Sequence, residues 1–205
     1  MAERYPGYDV LRKRGTLSWN DRTRSVVDGR LGLPDSPRFL SVAEWRTLAA
    51  AAARIVPQPE GRPPVNVAAI VDDRLLRDRS DGFRQAGVPR FRDAWRIGLA
   101  AMEAEARERF GTSFAGLDAE RQESLLRALE RGDAGGPHWQ GMDPKQFWSS
   151  RLLADVVAAY SSHPSAWSAI GFGGPASPRG YVRLQPGLDD PWEASEDREK
   201  NLHVR

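Results

Sequence analysis

Apolar residues recur at helical spacing through most of the chain. In the clearest stretch, large apolar side chains stand four, four, three and four positions apart, at Phe91, Trp95, Leu99, Met102 and Ala106. Because an α-helix has about 3.6 residues per turn, this spacing places the side chains on one face. No stretch alternates apolar and polar residues for long enough to indicate a half-buried strand. We therefore predict an all-α fold, an irregular bundle of about six helices with a C-terminal tail rich in aromatic residues, glycine and proline.

Capping residues mark the ends of the predicted helices. Ser41 stands three residues before Glu44, which is the capping-box arrangement, and Pro57 stops the helix that Ser41 opens. Gly111 and Gly132 follow the last periodic residues of two other helices, as C-terminal glycines commonly do. These signals predict helices over about 20–31, 42–56, 66–79, 89–110, 119–131 and 144–162.

Composition divides the chain into three consecutive segments. We predict an N-terminal arm with a short helix over residues 1–38, a helical domain over 39–170 and an extended tail over 171–205. Glycine and proline set the tail apart, because both interrupt helices, and large aromatic residues lie between them.

Seven tryptophans are an unusual number for 205 residues. Trp45, Trp95 and Trp148 fall on the apolar faces of predicted helices, so we expect them in the core. The other four lie at helix ends or in loops: Trp19, Trp139, Trp167 and Trp192. Large aromatic residues in loops are typical of protein interfaces, but they also pack back onto their own helices. The residues alone leave both interpretations open.

Composition and charge exclude several classes of protein. The chain has no cysteine, which rules out disulfides, zinc–thiolate sites and iron–sulfur clusters. The net charge is +2 and opposite charges are interleaved, as in residues 72–79, so no basic tract indicates nucleic-acid binding. The longest apolar run, residues 48–53, is far shorter than the roughly 18 residues of a membrane span. We therefore expect neither a nucleic-acid partner nor a membrane span.

Arg12-Lys13-Arg14 resembles the charged part of a twin-arginine export signal. No apolar stretch of about 7–15 residues follows it, as a signal peptide would require. We interpret the cluster as a solvated segment, and a cytoplasmic location is the default expectation.

No combination of residues predicts a catalytic, cofactor-binding or metal site. Residues 171–176 fit G-x-G-x-x-A, but the strand and helix that a dinucleotide fingerprint needs on its two sides are missing. The chain has three histidines, His138, His163 and His203. No two of them are four residues apart, as a helical metal site would require. We expect His163 to cap or pack at a helix end, where an imidazolium would suit the helix dipole. His138 lies in a Gly/Pro loop.

The segment 160–181 carries a specific string, Trp-x-x-Ile-Gly-Phe over residues 167–172, followed by Gly-Gly-Pro. It resembles the C-terminal signature of the gluconate 2-dehydrogenase subunit 3 family. Residues 39–57 and 96–126 are similar to the family's early and middle helices, and Tyr-Pro-Gly-Tyr over residues 5–8 resembles the opening of one subgroup. The resemblance covers about residues 39–182.

The resemblance implies a small helical subunit with no cofactor of its own. Its partner would be a larger FAD-dependent dehydrogenase of the glucose–methanol–choline type, which oxidises sugars, sugar acids or related alcohols, and a cytochrome c is one option for the electron acceptor. The small subunit would bind and stabilise that flavoprotein without catalysing the reaction. Better-known members carry a twin-arginine signal, from which this chain departs. A periplasmic location would therefore require a partner that carries the signal.

Within this interpretation the tail region supplies the partner-binding residues. Aromatic and arginine side chains carry most of the affinity in many interfaces. The expected partner-binding residues are Trp167, Phe172, Arg179, Tyr181 and Trp192. Trp95 and Leu99 are expected to hold the chain's own core instead, so that changing either would unfold it.

Two other functions remain open at this point. One is a free-standing helical binding or regulatory module, for instance for a small ligand between the helices. The other is a free-standing helical enzyme that uses His138 or His163 with a carboxylate. The enzyme hypothesis predicts activity in the isolated chain that a His→Ala change removes without unfolding it.

Overall fold

The computed structural model describes residues 4–80, 82, 84–177, 179–181, 183–185 and 188–195. Within these residues the chain forms eight α-helices: α1 (Asp21–Leu31), α2 (Val42–Ile55), α3 (Val67–Leu76), α4 (Phe91–Phe110), α5 (Ala119–Arg131), α6 (Pro144–Phe147), α7 (Ala154–Ser161) and α8 (Pro164–Ile170). Short 3₁₀ turns cover Val10–Gly15, Phe114–Gly116 and Pro137–Trp139. Two short strands, β1 (Arg183–Gln185) and β2 (Leu188–Asp189), pair antiparallel. The predicted all-α fold is confirmed.

These elements form two compact units that are not consecutive in sequence. Unit 1 comprises the described residues within 1–32, 60–65 and 161–205, and unit 2 comprises those within 33–59 and 66–160. The three consecutive segments predicted from composition describe the order along the chain and stay a prediction. Composition does not show which distant segments pack together. Part of the predicted tail, at positions 178, 182, 186–187 and 196–205, lies outside the described residues.

In unit 2, α2 packs against α3, α4 and α5. The predicted capping box at its start is present: Ser41 Oγ accepts the N–H of Glu44, and the Glu44 carboxylate accepts the N–H of Ser41 at 2.7 Å. Helix α4 ends at Gly111, whose φ of 74° is the left-handed conformation that glycine adopts without strain. The local signals therefore placed these helix ends correctly.

The core of unit 2 is built around the ring of Phe147. This fully buried ring meets Trp95 edge to face, with centroids 5.8 Å apart and planes at 82°, and lies 5.8 Å from the ring of Trp139. Gly98 of α4 faces Phe147, and a Cβ atom built on Gly98 would overlap three atoms of the ring. The close approach of α4 to Phe147 therefore requires residue 98 to have no side chain.

Two buried carboxylates join segments of unit 2 that are distant in sequence. Asp155 of α7 accepts the indole N–H of Trp95 at 2.9 Å and pairs with the Arg74 guanidinium at 3.0 Å. Asp72 of α3 accepts three successive backbone N–H groups at 2.8 to 3.1 Å, those of Arg38, Phe39 and Leu40. Because both side chains are almost completely buried, these bonds replace the water that the carboxylates would otherwise bind.

The single helix predicted over residues 144–162 is wrong in its middle. The structure has a π turn over Trp148–Leu153 between α6 and α7. The hydroxyls of Ser149 and Ser150 donate to the carbonyls four residues earlier, at 3.0 and 2.6 Å. Such bonds compete with the backbone N–H groups that a regular α-helix would use. The spacing of apolar residues does not reveal a single π turn inside a helix.

Burial of the tryptophans also differs from the prediction. Trp95 is fully buried as expected, but Trp45 and Trp148, predicted to lie in the core, are only half-buried. Three tryptophans from loops and helix ends are the more deeply buried ones: Trp19, Trp139 and Trp167. Helical periodicity identifies which face of a helix is apolar, but it does not show how much of that face another element covers.

Unit 1 has a small core of its own. Four buried side chains form it: Val10, Trp19, Val27 and Trp167. The N–H of Val10 donates to Ser168 Oγ at 3.0 Å, which joins the 3₁₀ turn near the start of the chain to α8. Residues separated by more than 150 positions in sequence therefore build one core.

Candidate partner-binding surface

An exposed apolar surface lies in unit 1 where the chain leaves α8. It consists of Ile170, Phe172 and Tyr181, whose exposed fractions are 65%, 46% and 53%. The ring centroids of Phe172 and Tyr181 lie 6.4 Å apart, with planes inclined by 34°. Single exposed apolar residues are ordinary on proteins, but two adjoining aromatic rings that are both about half exposed are typical of interfaces. We call these three residues the apolar surface.

Trp167 supports the apolar surface from the core. It is only 4% exposed, and its indole N–H donates to the carbonyl of Ser161 at 2.6 Å. Its ring meets Phe172 edge to face at 6.0 Å, with planes at 88°. The backbone N–H of Phe172 also donates to the carbonyl of Trp167 at 2.9 Å. Trp167 therefore fixes the position of an exposed ring while remaining buried itself.

Glycines allow the chain to pass close to this core. A Cβ atom at Gly173 would come closer than real Cβ atoms do to Glu193, Tyr181 and Lys13. Gly174 has a φ of 68°, and its backbone lies against the Trp167 ring. The Gly-Gly pair is thus explained by close packing, because neither position leaves room for a side chain.

Tyr181 packs against the ion pair of Lys13 and Glu193. Lys13 is completely buried, its Nζ lies 2.6 Å from Glu193 Oε1, and it also lies 5.0 Å from the centroid of the Tyr181 ring. The Tyr181 hydroxyl donates to the carbonyl of Gly174. Burial, with a smaller contribution from Glu193, raises the pKa of Tyr181, so the phenol keeps the proton that it donates.

The buried position of Lys13 corrects the interpretation of the basic cluster near the start of the chain. The cluster was expected to be solvated, but it forms part of the 3₁₀ turn Val10–Gly15, and only its middle residue points into the unit. The expectation failed because Glu193, the partner of Lys13, is 180 positions away in sequence. Local charge patterns do not reveal such pairs.

Arg179 and Trp192 are engaged within unit 1. Arg179 pairs with the carboxylate of Asp190, and its guanidinium lies 5.6 Å from the centroid of the Trp192 ring. The indole N–H of Trp192 donates to Ser18 Oγ at 3.2 Å. These contacts tie the end of the described chain to the segment before α1.

The five residues predicted to bind a partner therefore occupy one unit but different environments. Phe172 and Tyr181 are exposed, Arg179 and Trp192 are partly covered, and Trp167 is buried. Their role in partner binding stays a prediction. Ile170 was not among the predicted residues. Its position directly before Gly171, which ends α8, was the sequence signal that could have pointed to an exposed apolar side chain.

His163 caps a helix, but at the opposite end from the one expected. It was predicted to follow a helix as a favourable imidazolium, whereas it is the N-cap of α8, and its Nδ1 accepts the N–H of Ser165 at 3.2 Å. Burial and the nearby Arg30 lower the pKa of His163. Accepting that bond requires an unprotonated Nδ1, so the neutral ring is the form that fits.

The His163 cap predicts a pH-dependent stability. The folded state resists protonation of this ring, while the unfolded ring titrates near its ordinary pKa of 6.5. The unfolded chain therefore binds more protons, and the stabilisation present above about pH 6.5 is lost as the pH falls. We expect urea unfolding to show a larger loss of stability for the wild type than for His163→Asn between about pH 7.5 and 5.5, because asparagine caps without titrating. Equal losses in both proteins would contradict this role.

Across the described residues, no three or more His, Cys, Asp or Glu side chains come together as a metal site would require. None of their helices combines the length and the apolar character needed to cross a bilayer. His138 contacts the carboxylate of Glu108 at 2.6 Å, and both side chains are exposed.

Comparison with known proteins identifies the family of the chain. The family model described as gluconate 2-dehydrogenase subunit 3 matches residues 42–174 of the 205. The match begins at α2 and ends at Gly174, so it includes Phe172 and both glycines behind it. Comparisons with curated proteins and with solved structures find no match. The resemblance noted in the sequence is confirmed, and the chain belongs to the gluconate 2-dehydrogenase subunit 3 family.

Proposed function

We propose that the chain is a non-catalytic subunit that binds and stabilises a larger dehydrogenase. The partner is a flavoprotein of the glucose–methanol–choline type that acts on sugars, sugar acids or related alcohols. Family membership is the observation that carries this proposal, since the family is that of a dehydrogenase subunit. The apolar surface supports it, because an exposed pair of aromatic rings is suited to a protein partner.

Stabilisation would follow from binding alone. A subunit that binds the folded dehydrogenase and not the unfolded chain shifts the folding equilibrium of its partner by mass action. A standard interface of roughly 1,600 Å² is sufficient, and a few aromatic side chains contribute most of its affinity. Ile170, Phe172 and Tyr181 are the side chains of unit 1 that we assign to this role.

The apolar surface is arranged before binding. Trp167 supports the Phe172 ring, and the Tyr181 hydroxyl is bonded to the backbone of Gly174. A ring that is already fixed loses little conformational entropy when a partner covers it. Binding at this surface therefore retains most of the free energy gained by removing the rings from water.

The proposal places the redox chemistry in the partner. FAD belongs to the dehydrogenase subunit, and a cytochrome c fits the same scheme as the acceptor of its electrons. The location of the complex follows the partner: cytoplasmic by default, and periplasmic where the dehydrogenase carries an export signal. This chain contributes binding surface and no reacting group.

The proposal predicts that Phe172→Asp weakens the complex by roughly 30-fold or more. A charge would replace a central ring of the apolar surface, and residues of this kind contribute about 2 kcal/mol or more to an interface. The measurement is the dissociation constant for the flavoprotein that co-purifies with the tagged chain, with circular dichroism to verify folding. Val157→Asp is the matched control, because Val157 is 42% exposed and lies on α7 in unit 2. A complex equally tight with folded Phe172→Asp would exclude the apolar surface as the binding site.

A further inference from the structure

A second surface of unit 1 lies along α1. It is a groove of about 260 Å³ between α1 and residues 175–177, and we call it the α1 groove. Its apolar lining comes from Val26, which is 48% exposed, and from Pro175. Arg22 and Arg30 line the same groove.

The arginines around α1 fall into two groups. Arg24 pairs with Asp21 at 2.8 Å, and Arg14 pairs with Asp28. The two arginines in the groove are Arg22 and Arg30. Among the described residues, neither has a carboxylate partner. Both carboxylates of α1 are thus already engaged. The Arg30 guanidinium donates to the carbonyl of Ser162 at 2.7 Å, but this neutral acceptor does not cancel its charge, so the groove keeps a positive charge at each end.

The spacing of these charges defines what the groove can accept. Arg22 and Arg30 are eight residues apart on one helix, which is about 12 Å at 1.5 Å per residue. Val26 lies midway between them. An extended chain covers about 13 Å in four residues, since each residue of a strand advances about 3.3 Å. Two carboxylates at that separation with an apolar side chain between them would match the groove.

We propose that the α1 groove binds a short segment of the dehydrogenase partner in which an apolar side chain lies between two acidic residues. This inference rests on the proposed function. Complementary charges at the edge of an interface steer association and select the correct partner. The apolar lining then contributes the burial that a purely ionic contact lacks.

A protein segment fits the groove better than a phosphate or a nucleic acid. The paired acids Asp21 and Asp28 reduce the positive field around α1, on which binding of a phosphate or a nucleic acid would depend. The exposed Val26 between the two arginines offers such a ligand no polar contact. The groove is also connected to the apolar surface through one buried ring: the Arg30 guanidinium lies 5.7 Å from the centroid of the Trp167 ring, which in turn contacts Phe172.

The test uses the full-length chain and the co-purified flavoprotein. Arg22→Glu is the informative variant, because Arg22 is exposed and has no ionic contact to lose among the described residues. We expect about 10-fold or more weaker binding, and a smaller weakening of the complex by added salt than in the wild type. Val26→Asp is expected to weaken binding by a similar factor, and Arg22→Lys by less than about 3-fold. Arg46→Glu, at an exposed arginine of α2 in unit 2, is the matched control with the same change in charge.

The outcomes separate this inference from the proposed function. If Phe172→Asp weakens the complex but Arg22→Glu and Val26→Asp behave like Arg46→Glu, the groove is not part of the interface. If no flavoprotein complex forms with the wild-type chain, both the groove assignment and the proposed function are wrong. If the wild-type chain is a dimer by light scattering and Arg22→Glu makes it monomeric, the groove binds a second copy, and the proposal is also overturned.

Discussion

Replacing Trp167 by alanine is expected to lower the free energy of unfolding of unit 1 by about 3–5 kcal/mol. The side chain is 4% exposed and belongs to the four-residue core with Val10, Trp19 and Val27. Its removal leaves a cavity in a core too small to close around it, and the carbonyl of Ser161 loses the indole donor. Hydrogen exchange in peptides from residues 161–177 is the direct measurement, supported by urea unfolding.

Phe172→Ala is the control for the Trp167 experiment. Phe172 is 46% exposed, so its removal should cost no more than about 1 kcal/mol of stability while still weakening a complex. The pair of variants separates the core residue from the surface residue. Unchanged exchange in Trp167→Ala would show that the buried cluster does not hold unit 1 together.

Gly98→Ala is expected to destabilise unit 2 by about 3 kcal/mol, although glycine to alanine inside a helix ordinarily stabilises by about 1 kcal/mol. The sign reverses because the added methyl group would overlap the buried Phe147 ring. The ring cannot move away easily, since Trp95 and Trp139 both contact it. Urea unfolding of the full chain measures the effect.

Two further variants make the Gly98 result specific. Gly29 of α1 has nothing within 4 Å of a built Cβ, so Gly29→Ala is expected to show the ordinary stabilisation. Adding Phe147→Leu to Gly98→Ala should recover part of the loss, because it removes the ring that the methyl group meets. A stabilising Gly98→Ala would mean that α4 and Phe147 are not packed as described.

The sequence predicts the helices well where their signals are local. Ser41 and Glu44 are three positions apart and Gly111 directly follows the last turn of α4, so both ends could be located from neighbouring residues. The division into units depends on contacts such as Val10 with Ser168, which no local pattern encodes. The π turn at Trp148–Leu153 depends on competing hydroxyl bonds within an apolar stretch that has ordinary helical spacing.

The candidate site shows the same limit. Exposed aromatic residues in the tail region were predictable from composition, and Phe172 and Tyr181 are exposed in the structure. Their support was not predictable, because Lys13 and Glu193 are 180 positions apart. Trp167 illustrates the consequence: its position beside a glycine-rich segment does not show that it is buried against Val10 in a core.

Purification of the tagged chain from its native host tests the central claim most directly. The eluate is examined for visible absorbance, and its bands are identified and quantified by mass spectrometry. We expect a yellow, roughly equimolar complex with a larger flavoprotein dehydrogenase. A colourless, monodisperse chain from cells that also make the flavoprotein would contradict it and return attention to a free-standing role.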